Sequence, residues 1–168
     1  MRNRIASVRR DTKETRIEVS IDLDGNGSVD VRTGVGFLDH MLDHLGKHAI
    51  MDLTVAAEGD LHIDAHHTVE DVGICLGKAI AQALGDKAGI RRYGSASVPM
   101  DEALANVAVD LSGRAVTVFN ASFAGAKIGA FDTQLIVEFL RALAGHAGMN
   151  LHVNVPYGAN DHHKAEAI

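Results

Sequence analysis

The chain has 168 residues, of which 46% are hydrophobic and 23% are charged, a balance typical of a folded domain. Its net charge of −6 argues against a general nucleic-acid-binding protein, which would present a broad basic face. The single cysteine, Cys75, excludes an internal disulfide and fits a reducing cytoplasm. The N-terminus lacks the apolar core of a signal peptide, and no run approaches the roughly 18 apolar residues that span a bilayer. We therefore expect a cytoplasmic protein without a membrane or nucleic-acid partner.

The first half of the chain alternates between strand and helix patterns. Period-2 and period-3.6 apolar patterns predict these elements in order: strands at 5–10, 16–25 and 28–34, a helix at 37–49, a strand at 51–59 and a helix at 66–86. The segment DGNGS is interpreted as a hairpin turn between the second and third strands. Asp64 is a candidate N-cap for the long helix, and Asp86 with Gly89 marks its predicted end.

The second half repeats the same order. Its predicted elements are strands within 96–123 with turns at DE and SGR, a helix at 131–147, a strand at 149–155 and a helix opening at 160. A shift of 96 residues aligns HHTVE at 66 with HHKAE at 162, and a shift of 98 aligns His40 with Glu138. We therefore predict an α+β fold built by internal duplication of a strands-helix-strand-helix unit, with halves 1–90 and 91–168 forming one compact domain.

The histidines are unevenly distributed. All ten fall within 40–67 and 146–163, whereas surface histidines would be scattered along the chain. One pair of adjacent histidines at a helix start is more often a capping or surface feature than a metal site. Because the pair occurs twice, each time with a glutamate, we favour metal binding for both copies. We expect four other histidines to be packing or supporting residues: His44, His48, His62 and His146.

The spacing within each copy predicts which side chains share a metal ion. On a helix, residues i and i+4 lie on one face, whereas residue i+1 points about 100° away. His66 and Glu70 can therefore bind one ion while His67 faces another. The second copy repeats this arrangement with His162, Glu166 and His163. His40 and Glu138, one turn into the preceding helices, are natural additional ligands, and imidazole with carboxylate suits Mn, Fe, Zn or Co.

Eight segments, in order, resemble the imidazoleglycerol-phosphate dehydratase family: RDTKET, TGVGFLDHMLDH, GDLHIDAHHTVEDVGI, GIRRYG, MDEAL, DLSGR, FDTQLIVEFLRAL and NDHHKAEA. The resemblance covers essentially the whole chain. It implies a fold like the second domain of ribosomal protein S5, with two four-stranded sheets each packed with helices. It also implies a homo-oligomer of 24 subunits built from trimers when metal is bound, and two Mn²⁺ ions at each active site, shared between subunits. The implied reaction is dehydration of imidazole glycerol phosphate to imidazole acetol phosphate in histidine biosynthesis.

The resemblance assigns roles to individual residues. The implied metal ligands are His40, His66, His67, Glu70, Glu138, His162, His163 and Glu166, and the family carries either His or Glu at the Glu138 position. Glu14 is implied to contact substrate and move protons, with His67 and Glu166 as the other catalytic residues. Arg92 and Arg114 are implied to hold the phosphate. We predict that one ion is bound by His66, Glu70, Glu138 and His163. The other is then bound by His162, Glu166, His40 and His67.

Two other functions use similar residues. A binuclear metallohydrolase would need bridging carboxylates and metals about 3.5–4 Å apart. A non-catalytic, metal-assembled oligomer would not need Glu14, Arg92 and Arg114 near the metals. The family's pattern continues beyond the point that corresponds to Ile168, with further phosphate-binding residues. We therefore expect a C-terminally truncated chain with weaker phosphate binding, and Glu166 in a weakly held final turn.

Overall fold

The computed structural model describes residues 4–168, which form two four-stranded sheets, one two-stranded hairpin and four helices. The strands are β1 (Ile5–Asp11), β2 (Thr15–Asp22), β3 (Val29–Arg32), β4 (Asp52–Gly59), β5 (Tyr93–Met100), β6 (Ala103–Asp110), β7 (Val116–Asn120), β8 (Lys127–Ile128), β9 (Phe131–Asp132) and β10 (Asn150–Tyr157). The helices are α1 (Gly36–Ala49), α2 (His66–Leu84), α3 (Gln134–Ala147) and α4 (Asp161–Ala167). Within residues 4–168, none of these helices is both long and apolar enough to cross a membrane.

The first sheet has the strand order β1-β2-β4-β3, in which only the β3–β4 pair is parallel. Alternate residues of β2 point to one face, as the period of a strand requires. On that face Ile17, Val19 and Ile21 are at most 2% exposed and belong to the main hydrophobic core with residues of α2. The amphipathic helix α2 is therefore held against the sheet by apolar packing.

The second sheet has the order β5-β6-β10-β7, with the same parallel pair at the same place. The predicted α+β fold with an internal duplication is confirmed. Equivalent strands β2 and β6 start 88 residues apart, at Thr15 and Ala103, whereas α1 and α3 start 98 residues apart, at Gly36 and Gln134. The additional residues lie between β7 and α3 and contain the β8–β9 hairpin, which the sequence patterns did not predict.

The prediction that DGNGS forms a hairpin turn is wrong. β2 and β3 are not neighbours, because β4 lies between them in the sheet. The Asp52 side chain at the start of β4 accepts hydrogen bonds from the amides of Asn26 and Ser28, each at 2.9 Å. A Cβ at Gly25 would lie 2.5 Å from the Asp52 amide nitrogen. Gly25 therefore lets the loop pass close to the start of β4.

The boundaries predicted for α2 also need correction. Its N-cap is Ala65, not Asp64, although the Asp64 carboxylate accepts from the His66 amide at 2.7 Å. The helix ends at Leu84, because Gly85 has a positive φ of 56° and is the C-cap. The predicted end near Asp86 is thus two residues late.

Two glycines bring α2 and α3 into close contact. Gly73 and Gly77 lie one turn apart on α2 and face α3. A Cβ at Gly73 would lie 2.9 Å from the carbonyl oxygen of Phe139, and one at Gly77 would lie 2.5 Å from that of Leu143. The two halves of the chain therefore meet with the backbones of these helices nearly touching.

Candidate active site

The duplicated histidine pairs occupy the first turns of α2 and α4. Asn160 is the N-cap of α4, and its side chain accepts from the amides of His162 and His163 at 2.9 and 3.4 Å. These contacts satisfy amides that have no partner inside a helix. Both imidazoles are thus anchored through their backbone, and their rings are left for other contacts.

Glu166 is the centre of a cluster of histidines. Its Oε2 lies 3.4 Å from Nε2 of His162, and its Oε1 lies 3.5 Å from Nε2 of His40 and 3.1 Å from Nε2 of His44. The Glu166 side chain is only 8% exposed. The expectation that Glu166 lies in a weakly held turn is therefore wrong, because contacts from α1 enclose it.

The first copy is more open. Nε2 of His66 lies 3.7 Å from Oε2 of Glu70 on the same face of α2, as the i and i+4 spacing predicts. Glu138 instead accepts from Nη1 of Arg141 at 3.0 Å. Among residues 4–168, only one group of three side chains converges as metal ligands would: His40, His162 and Glu166. A single chain thus supplies one converging cluster and one His–Glu pair.

The second histidine of each pair turns away from the first and contacts a carboxylate. Nδ1 of His67 lies 2.9 Å from Oδ2 of Asp60, and Nδ1 of His163 lies 2.7 Å from Oε2 of Glu102. These contacts raise the pKa of both imidazoles. Hydrogen bonds from the Asn160 amide and from His163 lower the pKa of Glu102 to about 2. Both rings therefore have a fixed, negatively charged neighbour on one side.

Glu14 lies in the turn between β1 and β2, close enough to His67 for its charge to raise the pKa of that imidazole. Only its backbone is tied down, because the Glu14 amide donates to Oγ1 of Thr12 at 3.1 Å. No hydrogen bond or ion pair engages the Glu14 carboxylate among residues 4–168. The Glu14 side chain is therefore available beside the predicted metal ligands.

The predicted phosphate ligands lie elsewhere in the chain. Arg92 donates through Nε and Nη2 to the two carboxylate oxygens of Asp110, at 2.6 and 3.0 Å. The hydrogen bond from Arg92 lowers the pKa of the Asp110 carboxyl, and the charge of Arg114 acts in the same direction. The two arginines lie near the start of β5, whereas Glu102 and His163 lie beyond its other end. An eight-residue strand spans about 24 Å, so the arginines and His163 are at opposite ends of the chain's second sheet.

A groove with a volume of about 790 Å³ lies beside the cluster. Its walls include His40, His66 and His162, so it touches both copies of the duplicated motif. Leu61 and Ile63, 39% and 65% exposed, add an apolar wall. The size and mixed lining are those of sites for small polar ligands.

The cluster fits a divalent transition metal. Metal–nitrogen bonds of about 2.1 Å put neighbouring ligand atoms about 3 Å apart and opposite ones about 4.2 Å apart. The three candidate donor atoms all lie within 4.8 Å of one another. Cys75 is fully buried in α2, and burial raises the pKa of its thiol to about 11, so no thiolate joins the set. Nitrogen and oxygen donors suit Mn, Fe, Co or Zn.

His44 was expected to be a packing or supporting residue, and its Nε2 lies 3.1 Å from Oε1 of Glu166, which fits a supporting role. Its position four residues after His40 puts it on the same face of α1. Two other residues that the structure places beside these ligands were not identified from the sequence. Asp60 and Glu102 lie 7 and 61 residues from the histidines they contact, and nothing in the local pattern indicated those contacts.

Similarity to known proteins extends over nearly the whole chain. The family model described as imidazoleglycerol-phosphate dehydratase matches residues 33–168. An imidazoleglycerol-phosphate dehydratase of Cereibacter sphaeroides strain KD131 is 58% identical over 164 residues, which is 98% of this chain and 84% of that protein. The one of Paracoccus denitrificans is 59% identical over the same shares.

Two solved structures are similar to this chain. The Staphylococcus aureus imidazoleglycerol-phosphate dehydratase superposes with a TM-score of 0.88 at 40% identity, covering 98% of this chain and 91% of that one. The structure of IGPD from Pyrococcus furiosus in complex with (S)-C348 superposes with a TM-score of 0.82 at 34% identity, covering 95% of this chain and 85% of that one. The chain belongs to the imidazoleglycerol-phosphate dehydratase family, a family of hydro-lyases.

Proposed function

We propose that this protein dehydrates imidazole glycerol phosphate to imidazole acetol phosphate in cytoplasmic histidine biosynthesis, using Mn²⁺ bound by its duplicated histidine motifs. The observation that carries the metal dependence is the convergence of His40, His162 and Glu166 on one point. These three side chains would hold one ion, and His66 with Glu70 would provide ligands to a second. Family membership supports the dehydration over the binuclear hydrolase and the non-catalytic assembly.

The proton that leaves the substrate is bound to carbon beside an imidazole ring, and it is too weakly acidic for an unaided base. Bound Mn²⁺ would act as a Lewis acid toward the imidazole and reduce the cost of negative charge developing on the ring. The side chains that would hold the ion would thereby fix the ring relative to the base. The groove lined by both copies of the motif is where the ring would lie.

Glu14 is the residue that we propose as the proton carrier. Its carboxylate lies near His67 and has no hydrogen-bond partner among residues 4–168. A carboxylate held by its backbone in a turn, with a free side chain, can take a proton from carbon and return it to the departing hydroxyl. General acid–base catalysis of this kind contributes about 10²- to 10⁴-fold to the rate.

Arg92 and Arg114 are proposed to bind the phosphate. Guanidinium groups match the geometry of phosphate oxygens and can donate two hydrogen bonds at once. Because these arginines lie at the end of β5 remote from His163, one small substrate cannot contact both within a single chain. We therefore propose that each active site combines residues of neighbouring copies in a symmetric homo-oligomer, for which the resemblance implies 24 subunits built from trimers.

The test is a direct assay for imidazole acetol phosphate after removal of metal with EDTA and addition of Mn²⁺. We expect product from the wild type and almost none from Glu166→Gln, which keeps the side-chain shape but removes the charge. Glu14→Gln should bind Mn²⁺ normally and lose about 10²- to 10⁴-fold in kcat. His62→Gln, at an exposed position in the 60–65 loop, is the matched control and should behave as wild type. Equal turnover by Glu166→Gln and wild type would contradict the metal site, and no product with any divalent metal would contradict the reaction.

A further inference from the structure

Two carboxylates hold the second histidine of each pair in the same way. Asp60 contacts Nδ1 of His67 at 2.9 Å, and Glu102 contacts Nδ1 of His163 at 2.7 Å. A carboxylate can only accept a hydrogen bond, so Nδ1 of each ring must carry the hydrogen. The lone pair of a neutral ring is then on Nε2, the nitrogen that points away from the carboxylate.

The two contacts come from different parts of the duplicated unit. Asp60 follows β4 in the six-residue loop before α2, whereas Glu102 lies in the turn between β5 and β6. The equivalent of Glu102 in the first half, 88 residues earlier, is Glu14, which makes no such bond. The same ring nitrogen is therefore held in both halves by carboxylates that are not equivalent in the fold.

We propose that Asp60 and Glu102 are positioning residues that fix the Nδ1–H tautomers of His67 and His163 and so reserve Nε2 of each ring for a metal ion. The proposal rests on the metal binding proposed above. A ligand histidine whose other nitrogen donates to a carboxylate is held in one orientation and binds metal more strongly. Removal of such a partner typically weakens metal binding by about 10- to 100-fold.

The surroundings of the two carboxylates predict different responses to amide substitution. Both oxygens of Glu102 are engaged, because Oε1 also accepts from the amides of Ala159 and Asn160, at 3.0 and 2.6 Å. In Glu102→Gln the amide oxygen stays with those two donors, so the NH₂ group faces His163. Nδ1 must then accept a hydrogen bond, which moves the hydrogen to Nε2 and blocks its lone pair.

Asp60 has a spare oxygen. Its Oδ1 is buried and has no hydrogen-bond partner among residues 4–168. In Asp60→Asn the amide can therefore rotate to keep its oxygen on Nδ1 of His67, and the tautomer is retained. Asp101→Asn is the charge control, because Oδ2 of Asp101 lies on the Nε2 side of His163, at 3.6 Å, and does not contact Nδ1.

The tautomers can be read directly from ¹⁵N spectra of the histidine-labelled, metal-free 168-residue chain, by solid-state NMR if the oligomer is large. The pH is set above the pKa of the imidazoles, and His67→Asn and His163→Asn variants assign the signals. We expect Nδ1–H for both rings in the wild type, in Asp60→Asn and in Asp101→Asn. We expect Nε2–H for the ring of His163 in Glu102→Gln, with Mn²⁺ affinity, measured by EPR titration, about 10- to 100-fold lower than in Asp101→Asn.

Two results would overturn the proposal while leaving the proposed metal binding intact. One is Nε2–H on His163 or His67 in the wild type, which needs no variant to fold. The other is a Glu102→Gln chain that unfolds like the wild type in urea and binds Mn²⁺ as tightly as Asp101→Asn. A wild type that shows the expected tautomers but does not bind Mn²⁺ or another divalent metal would refute the proposed metal function and, with it, the purpose that we assign to these carboxylates.

Discussion

The contact between α2 and α3 makes a quantitative prediction for Gly77→Ala. The added methyl group would lie 2.5 Å from the carbonyl oxygen of Leu143 and 3.0 Å from the amide nitrogen of Ala147. Both atoms are backbone, so relief requires a shift of a whole helix and not of one side chain. Overpacking of this kind costs about 1–3 kcal/mol, and we take the upper end because backbone is involved. Alanine returns up to about 1 kcal/mol through its helix propensity, so the variant should lose about 2 kcal/mol of unfolding free energy.

Gly145→Ala on α3 is the matched control, because a Cβ there meets nothing within 4 Å. That variant should gain about 0.8–1 kcal/mol, since only helix propensity changes. The assay is urea unfolding of the metal-free chain followed by circular dichroism, with the free energies obtained by linear extrapolation. The opposite signs make the comparison robust. A Gly77→Ala chain as stable as Gly145→Ala would show that α2 and α3 do not approach as closely as described.

Three further predictions concern charge, phosphate and assembly. Backbone amides of Asn26 and Ser28 lower the pKa of Asp52. The unfolding free energy by which the wild type exceeds Asp52→Asn should therefore be constant above an unfolded carboxyl pKa of about 3.9 and vanish as the pH falls through the lower native pKa. Urea unfolding across acidic pH measures this difference. Arg92→Lys should raise KM about 10- to 100-fold in the dehydration assay with a smaller change in kcat, because a lysine cannot replace the bidentate guanidinium. Light scattering should show a smaller particle after EDTA and a larger one after Mn²⁺ is restored, and an unchanged size would count against metal sites at subunit boundaries.

The architecture was largely predictable because it depends on local periodicity. Alternating apolar residues indicated the strands, the period of three to four indicated the helices, and aligned motifs indicated the duplication. The errors have two causes. An Asp-Gly-Asn-Gly segment has the composition of a hairpin turn, but the strand that pairs with β2 besides β1 is β4, some 30 residues later in the chain, at Asp52–Gly59. Strands of two residues, such as β8 and β9, leave no periodic pattern to detect.

The arrangement of side chains within the duplicated motif was predictable to the extent that helix geometry determines it. The i and i+4 rule placed His162 with Glu166 and separated His163 from both, and the structure has that arrangement. The rule could not identify carboxylates from other elements, because their approach is a property of tertiary structure. Asp60 and Glu102 were therefore not predicted. The assignment of the eight ligands to two ions stays a prediction.

The two halves use equivalent glutamates differently because the loops before their histidine helices differ. Glu14 and Glu102 occupy equivalent positions, in the turns that precede β2 and β6. In the second half the segment 158–160 between β10 and α4 has no acidic residue, so Glu102 reaches across to His163. In the first half the longer 60–65 loop contains Asp60, which holds His67, and the Glu14 carboxylate has no hydrogen-bond partner among residues 4–168. Glu102 thus holds His163 in the second half, whereas its equivalent in the first half, Glu14, can carry out the proton transfer that we propose.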